Sequence, residues 1–415
     1  MTKESNDSTL QLPASLSGVQ TILLGGGGAA LAVGMIMGIT GVDDHGSHAM
    51  HAYMTAFMFC LSISLGALFF VVIQHLCRAG WSASVRRIAE ILMVAIPALS
   101  VLFLPILIFV LLIDDSGKLY PWSLSGWGQA HPEKSKILNP GAFLIVSLIV
   151  FGLWSLIARY FWDSSRKQDS SGDIQLTERM QFWSGPATVT FALTVSAAAF
   201  VWIMSLDPMW FSTMFGVYIF AGCMVSFFAM MSLSVYVLQK KGAIVDEVNQ
   251  EHYHDFGKYT FGFVVFWAYI AFSQYMLIWY ANIPEETTWL LNRQGPPDDG
   301  FSGWGAVSLA LPIVHWLIPF FAVMPRHLRR TPKWMAFWGA YLLLAHYFDL
   351  YWIIMPEAGI SHAITGGPLG LACSLLCFGG MVGLYLGVLL RIATGIPLIP
   401  VKDPRLPQAL AFENI

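Results

Sequence analysis

A bilayer core about 30 Å thick takes roughly 20 apolar residues per crossing helix. This chain supplies ten such runs, at 18–40, 50–75, 87–113, 138–162, 182–205, 211–238, 258–281, 303–324, 333–355 and 366–391, separated by polar or Pro/Gly-bearing segments. In hydrocarbon every backbone N–H and C=O must be satisfied within the chain, so runs of this length are expected as helices. Composition agrees: 56% of the 415 residues are hydrophobic and 11% charged, against about 25% charged in a soluble domain, and mean hydropathy is +0.62. The expectation is an all-α polytopic membrane protein with a polar tail over 1–17, a ten-helix membrane domain over 18–391 and a second tail over 392–415. The first run is longer than the apolar core of a signal peptide and no small-residue cleavage site follows it, so it is expected to stay as a helix.

Orientation follows from Lys and Arg in the segments between runs. One side collects 18 of them, in the tails and in the loops after runs 2, 4, 6 and 8; the other holds only Lys118, Lys134, Lys136 and Arg293. Both tails are therefore expected in the cytoplasm, as an even number of spans requires.

Several function classes fall away. A net charge of -3 provides no basic field for nucleic acid. The five cysteines (Cys60, Cys77, Cys223, Cys373, Cys377) have no C-x-x-C or C-x-x-C-H spacing, so no disulfide framework, zinc or iron-sulfur site, or covalent haem is encoded. Any metal would have to be held by histidine, and no metal site is expected. The run Gly25–Gly28 has neither a preceding strand nor a following Lys-Ser/Thr, so it is not a phosphate loop.

Trp122, Trp127, Trp162, Trp183, Trp279, Tyr280, Trp304 and Trp334 sit at run ends, where amphipathic rings anchor at headgroup level. Gly34/Gly38 in run 1 and Gly379/Gly383/Gly387 in run 10 recur every fourth residue and are read as close packing faces. Two long outward loops, 114–137 and 282–302, carry Trp, Pro and acids (Asp114, Asp115, Glu285, Glu286, Asp298, Asp299) and are expected to dock an external partner. The stretch Glu247, Glu251, His252, His254, Asp255 has metal-like residue types but is expected as a solvated loop before run 7.

Ionisable groups inside spans cost several kcal/mol and are functional candidates by default. Run 9 carries His346 and Asp349, spaced i and i+3 on one face. Run 8 carries His315 and run 3 carries Glu90, which can pair with Arg86 or Arg87; Asp207 ends run 5, and Gln274 with Ser273 sits in run 7. A carboxylate beside an imidazole near the outer face can take up protons released when a quinol is oxidised. The same pair could instead be a helix-to-helix hydrogen bond, and His315 and His346 could be axial ligands of a single b-type haem.

From residue 182 onward the motifs become specific. Ser205–Tyr218 (SLDPMWFSTMFGVY), 254–287 (HDFGKYTFGFVVFWAYIAFSQYMLIWYANIPEET), 345–356 (AHYFDLYWIIMP) and the tail Asp403-Pro404-Arg405-Leu406 resemble the NrfD-like, polysulfide-reductase-type membrane subunits of bacterial alternative complex III, most of all the second and shorter of the two. That complex is a quinol:cytochrome c (or high-potential iron-sulfur protein) oxidoreductase of the bacterial cytoplasmic (inner) membrane. The resemblance implies helices 2–5 and 6–9 as two four-helix bundles flanked by helices 1 and 10. It implies no redox centre in this chain, with haem c and iron-sulfur clusters carried by partner subunits. Those partners would be the longer NrfD-like paralogue, c-type cytochrome subunits, an iron-sulfur subunit and small membrane subunits, all set in lipid. Menaquinol or its quinone would be met at the longer paralogue or here, and this chain would contribute scaffold and a proton path through Glu90, Asp207, Gln274, His315, His346 and Asp349. A stand-alone proton-coupled transporter is the alternative. Pro97 and Pro105 in run 3 and Pro312 and Pro319 in run 8 interrupt helices as transporters do, but not in corresponding places of the two bundles.

Overall fold

The computed structural model describes residues 10–42, 46–114, 117–294, 303–359 and 364–414. Lys3, Glu4, Asp7, Asp115, Asp298 and Asp299 lie outside the described residues. Among those described, the chain is helical and has no strand. Each of the ten apolar runs coincides with a helix: α1 (Gln20–Gly41), α2 (Ser47–Leu76), α3 (Ala83–Ile113), α4 (Pro140–Ser171), α5 (Ile174–Leu206), α6 (Phe215–Lys240), α7 (Gln250–Ala281), α8 (Gly303–Val323), α9 (Pro332–Ile354) and α10 (Gly367–Ala393). Nine of these are long and apolar enough to cross a membrane. The other, α9, is 23 residues long and carries Lys333, His346 and Asp349 in its otherwise apolar sequence. The chain is thus a multi-pass helical membrane protein.

α2 is the axis of the molecule. It packs against α3, α5, α6, α9 and α10, while α1 lies along α10, α4 against α5, and α6 against both α7 and α9. Nearly every residue of α2 is buried, which is why this helix tolerates Ser62, Ser64, Gln74 and His75 where a lipid-facing helix would not. The outward faces are apolar, with Ile36, Leu148, Leu156, Leu193, Phe272 and Phe321 exposed, as hydrocarbon requires.

Close crossings are built on glycine. A Cβ on Gly66 of α2 would run into the Cys223 carbonyl oxygen of α6, and one on Gly339 of α9 would meet the Ala229 carbonyl oxygen of α6 at 2.6 Å. In the α1–α10 pair the face is Gly27, Gly34 and Gly38 against Gly380, Gly383 and Gly387. Gly379 faces open space, so the expected 379/383/387 stripe is corrected to 380/383/387. The fourth-residue spacing marks a groove but leaves its rotation about the helix open by one residue.

α3 is broken, as its prolines demand: Pro97 and Pro105 each stand in the first turn of a new helical segment, where the missing N–H is harmless. α8 contains a π-helical turn over Ile313–Leu317 between Pro312 and Pro319. π-turns of this kind recur at functional sites.

One loop reading is corrected. The stretch expected as a solvated loop is the start of α7: Asn249 caps it through its side chain, and His252, His254 and Asp255 are buried in its first turns. Trp122 and Trp127 of the 114–137 loop are buried, as are Trp304 at the start of α8 and Trp162 near the end of α4. Trp183, Trp279 and Tyr280 remain exposed, as anchors would be. In the 114–137 loop the Asp114 carboxylate accepts from the backbone N–H of Lys118, Leu119 and Tyr120, at 2.6, 3.1 and 3.1 Å. The 282–302 loop contains a helix, Pro284–Gln294, whose Trp289 and Arg293 point inward.

At the basic end the segment after α10 straps across the helices. The Leu398 N–H donates to the Leu10 carbonyl at 2.7 Å, Lys402 donates to the Ser170 carbonyl, Asp403 pairs with Arg86, and Phe412 packs on Trp81.

Candidate functional site

His315, His346 and Asp349 come together inside the helices. One ring nitrogen of each histidine and one carboxylate oxygen all lie within 4.8 Å of one another, and the three residues are 0%, 2% and 1% exposed. The i, i+3 spacing on α9 sets His346 and Asp349 on one face, and the π-turn of α8 presents His315 to them.

Neighbouring helices hold each member. Asp349 accepts from the Tyr218 hydroxyl of α6 on one oxygen and from the Trp267 indole N–H of α7, at 3.0 Å, on the other. Trp267 also packs against His315, ring centroids 3.9 Å apart. Gly222 makes room for His346: a Cβ there would come within 2.7 Å of the His346 Cε1.

Ser62 holds His346 from the far side of the ring: its Oγ lies 2.9 Å from His346 Nε2 and 2.8 Å from the Phe59 carbonyl. Its neighbour Ser226 donates to the Cys223 carbonyl. His346 Nδ1 is on the opposite side of the ring from the Ser62 hydrogen bond. No hydrogen-bond partner reaches that Nδ1, or either ring nitrogen of His315, among the described residues.

Beside the cluster opens a cavity of about 1090 Å³ between α7, α8 and the Pro284–Gln294 helix. Its wall is largely aromatic and aliphatic, with Tyr218, Trp267, Gln274, Arg293, Gln294 and Ser308 among its polar groups. Tyr218 and Trp267 therefore face the cavity and Asp349 at once. Gln274 accepts from the Ser212 hydroxyl at 3.3 Å. Arg293 is fully buried, its guanidinium 3.6 Å from the Trp289 ring centroid, and it donates to the Trp289 and Ile353 carbonyls and to Glu357 at 2.8 Å. Burial lowers the Arg293 guanidinium from its ordinary value, and the Glu357 carboxylate works against that.

The remaining sequence candidates lie elsewhere. Asp207 follows the end of α5, accepting from the Met209 and Trp210 N–H groups; burial, then the charge of Glu357, raises its carboxyl above the usual range. Glu90 is at the basic end of α3, wholly buried. Its oxygens lie 3.5 Å from Arg86 Nε and 3.4 Å from Arg87 Nε. Asp403 takes the other side of Arg86, and Asp169 pairs with Arg87 at 2.5 Å. Buried Gln74 and His75 of α2 belong to the same end, and neither His75 nitrogen has a partner among the described residues.

Tyr218, Trp267, Ser62 and Gly222 were not singled out from sequence. A tyrosine, tryptophan, serine or glycine in a span has ordinary packing uses, and only its pairing across helices marks it. Comparison with protein-family models and with curated proteins gives no match to this chain.

Proposed function

We propose that the chain is an integral membrane subunit of a respiratory quinol:cytochrome c (or high-potential iron-sulfur protein) oxidoreductase of the alternative complex III type. In this reading all ten helices span the bacterial cytoplasmic membrane, with both tails inside and helices 2–5 and 6–9 as two bundles. The chain is not catalytic alone: electrons pass through haem c and iron-sulfur centres of partner proteins, which assemble with it and with the longer NrfD-like paralogue, while this chain supplies scaffold, proton handling and a place for the quinol ring.

The observation that carries the reading is that one aromatic cavity shares Tyr218 and Trp267 with a buried carboxylate–imidazole pair. Apolar cavities with a few convergent polar groups are where small lipid-soluble ligands bind. A quinol hydroxyl against Tyr218 would pass its proton to the phenol oxygen as the phenol proton moves to Asp349. His346, on the same face of α9, stands next to that carboxylate. Further in, Ser62, Ser64 and Tyr385 are hydrogen-bonded polar groups on the inner helices, and Glu90 stands at the basic end. The broken α3 and α8 suit the transporter alternative, which predicts a haem-free, solitary protein.

The test is gentle purification of the chain from its native membrane, a haem stain and a reduced-minus-oxidised spectrum, then menaquinol-analogue oxidation by the wild type and by Ala268→Trp, which fills the cavity. Copurifying c-type haem reduced by quinol, and slower in A268W, is the expected result. A solitary, haem-free protein sinks the reading.

A further inference from the structure

We propose that His315, His346 and Asp349 form a binding site for one divalent transition-metal ion of the zinc type, distinct from the cavity where a quinol ring would sit. Two imidazoles and one carboxylate are a ligand set that zinc takes with one position left for water. Their donor atoms already lie within 4.8 Å of one another. Zinc sits about 2.0–2.2 Å from each N or O donor, so closing on an ion requires movements of about 1 Å, within side-chain reach.

The surroundings are those of a ligand set rather than of a satisfied polar core. Buried polar groups normally find hydrogen-bond partners, and one that does not calls for an explanation. Here both nitrogens of His315 and Nδ1 of His346 have none among the described residues, although both side chains are almost fully buried. The ligands are meanwhile oriented from outside: Ser62 holds His346 by Nε2 and leaves Nδ1 bare, and Tyr218 and Trp267 hold one oxygen each of Asp349. Metal-bound histidines are commonly held by the other ring nitrogen, as His346 is here by Ser62, while the ring of His315 is set by packing on Trp267. A carboxylate oxygen that accepts one hydrogen bond keeps a lone pair for an ion. Tyr218 and Trp267 also border the cavity, so these two side chains are what separates it from Asp349.

The test uses the full chain in detergent, stripped with chelator and titrated with Co²⁺, whose visible bands report nitrogen and oxygen coordination; Zn²⁺ then displaces it and is counted by elemental analysis. One ion per chain is expected, with affinity lowered at least about tenfold in His315→Gln and in Asp349→Asn, and unchanged in His254→Gln at the basic end. Ser62→Ala removes only an orienting hydroxyl, and is expected to weaken binding by about 10–100-fold. It decides the matter if H315Q or D349N fails to fold. No retained ion in folded wild type, or affinity that S62A leaves unaltered, overturns the proposal. Because the readout is metal binding by the isolated chain, its outcome is independent of whether the chain serves a quinol oxidoreductase.

Discussion

The hydroxyl of Tyr218 and the carboxylate of Asp349, 131 residues apart in sequence, meet in a buried hydrogen bond between α6 and α9, with the cavity on the far side of the phenol. Proton transfer through a positioned side chain contributes typically 10²–10⁴-fold to rate. In the complex, Tyr218→Phe is therefore expected to slow quinol oxidation by about a hundredfold while the protein remains folded. Asp349→Asn, which keeps the shape and removes the base, is expected to be slower still. Stopped-flow reduction of the partner haem by menaquinol analogues checks both; a Y218F complex with full turnover removes Tyr218 from the route.

The α1–α10 crossing brings backbone within contact distance of backbone. A Cβ on Gly380 would sit 2.5 Å from the Leu31 nitrogen, and one on Gly27 would sit 2.7 Å from the Leu384 nitrogen. Neither obstacle is a flexible side-chain end, so the helices must part. Gly380→Ala and Gly27→Ala are each expected to cost about 1–3 kcal/mol, the usual range for overpacking. Gly379→Ala, on open space, is expected to cost nothing. Thermal unfolding in detergent separates the three.

At the basic end, Arg86 is buried between Glu90 and Asp403. Taking one partner from a buried ion pair costs about 3–5 kcal/mol because the remaining charge stays buried. Asp403→Ala is expected at the lower end of that range, since Glu90 still faces Arg86. The double change Asp403→Leu with Arg86→Met should recover much of the loss. A double-mutant cycle read by denaturation reports the coupling, and strictly additive costs would mean that the pair contributes nothing.

Asp207 gives stability a pH dependence of defined sign. Its folded carboxyl is raised above the usual range by burial and then by Glu357, so it keeps its proton to higher pH than in the unfolded chain. Between the unfolded value and the raised folded one, the native state binds more protons, and stability falls as pH rises through that window. Asp207→Asn has no such proton to hold and is expected to flatten this part of the melting-temperature profile. An unchanged slope in D207N would show that Asp207 ionises alike in both states.

The ten helices were legible because apolar length is a strong signal, and because most of the Lys and Arg fall in alternate loops. Their inner ends were less so: α7 begins eight residues before the run expected at 258, since a capping asparagine and buried histidines do not look apolar. His346 and Asp349 were visible as a pair, through charge inside a span at helical spacing. That His315 joins them depends on a π-turn, and that Tyr218, Trp267 and Ser62 hold them depends on long-range packing, neither of which has a local sequence mark. The tryptophans show the same limit: Trp122 and Trp304 have the right position for an interface, but they are buried against Phe143 and Tyr351.

The strap across the basic end also sets an order of events during synthesis. Arg86 is made 317 residues before Asp403, so while the helices are being inserted it has only Glu90 beside it. Arg87 gains Asp169 much sooner, once α4 is in place. A bilayer resists uncompensated charge, and the early helices must hold this end near water until the strap arrives to close it. Closure of the basic end thus waits for the segment that follows α10, and a chain stalled after α9 would leave Arg86 without Asp403.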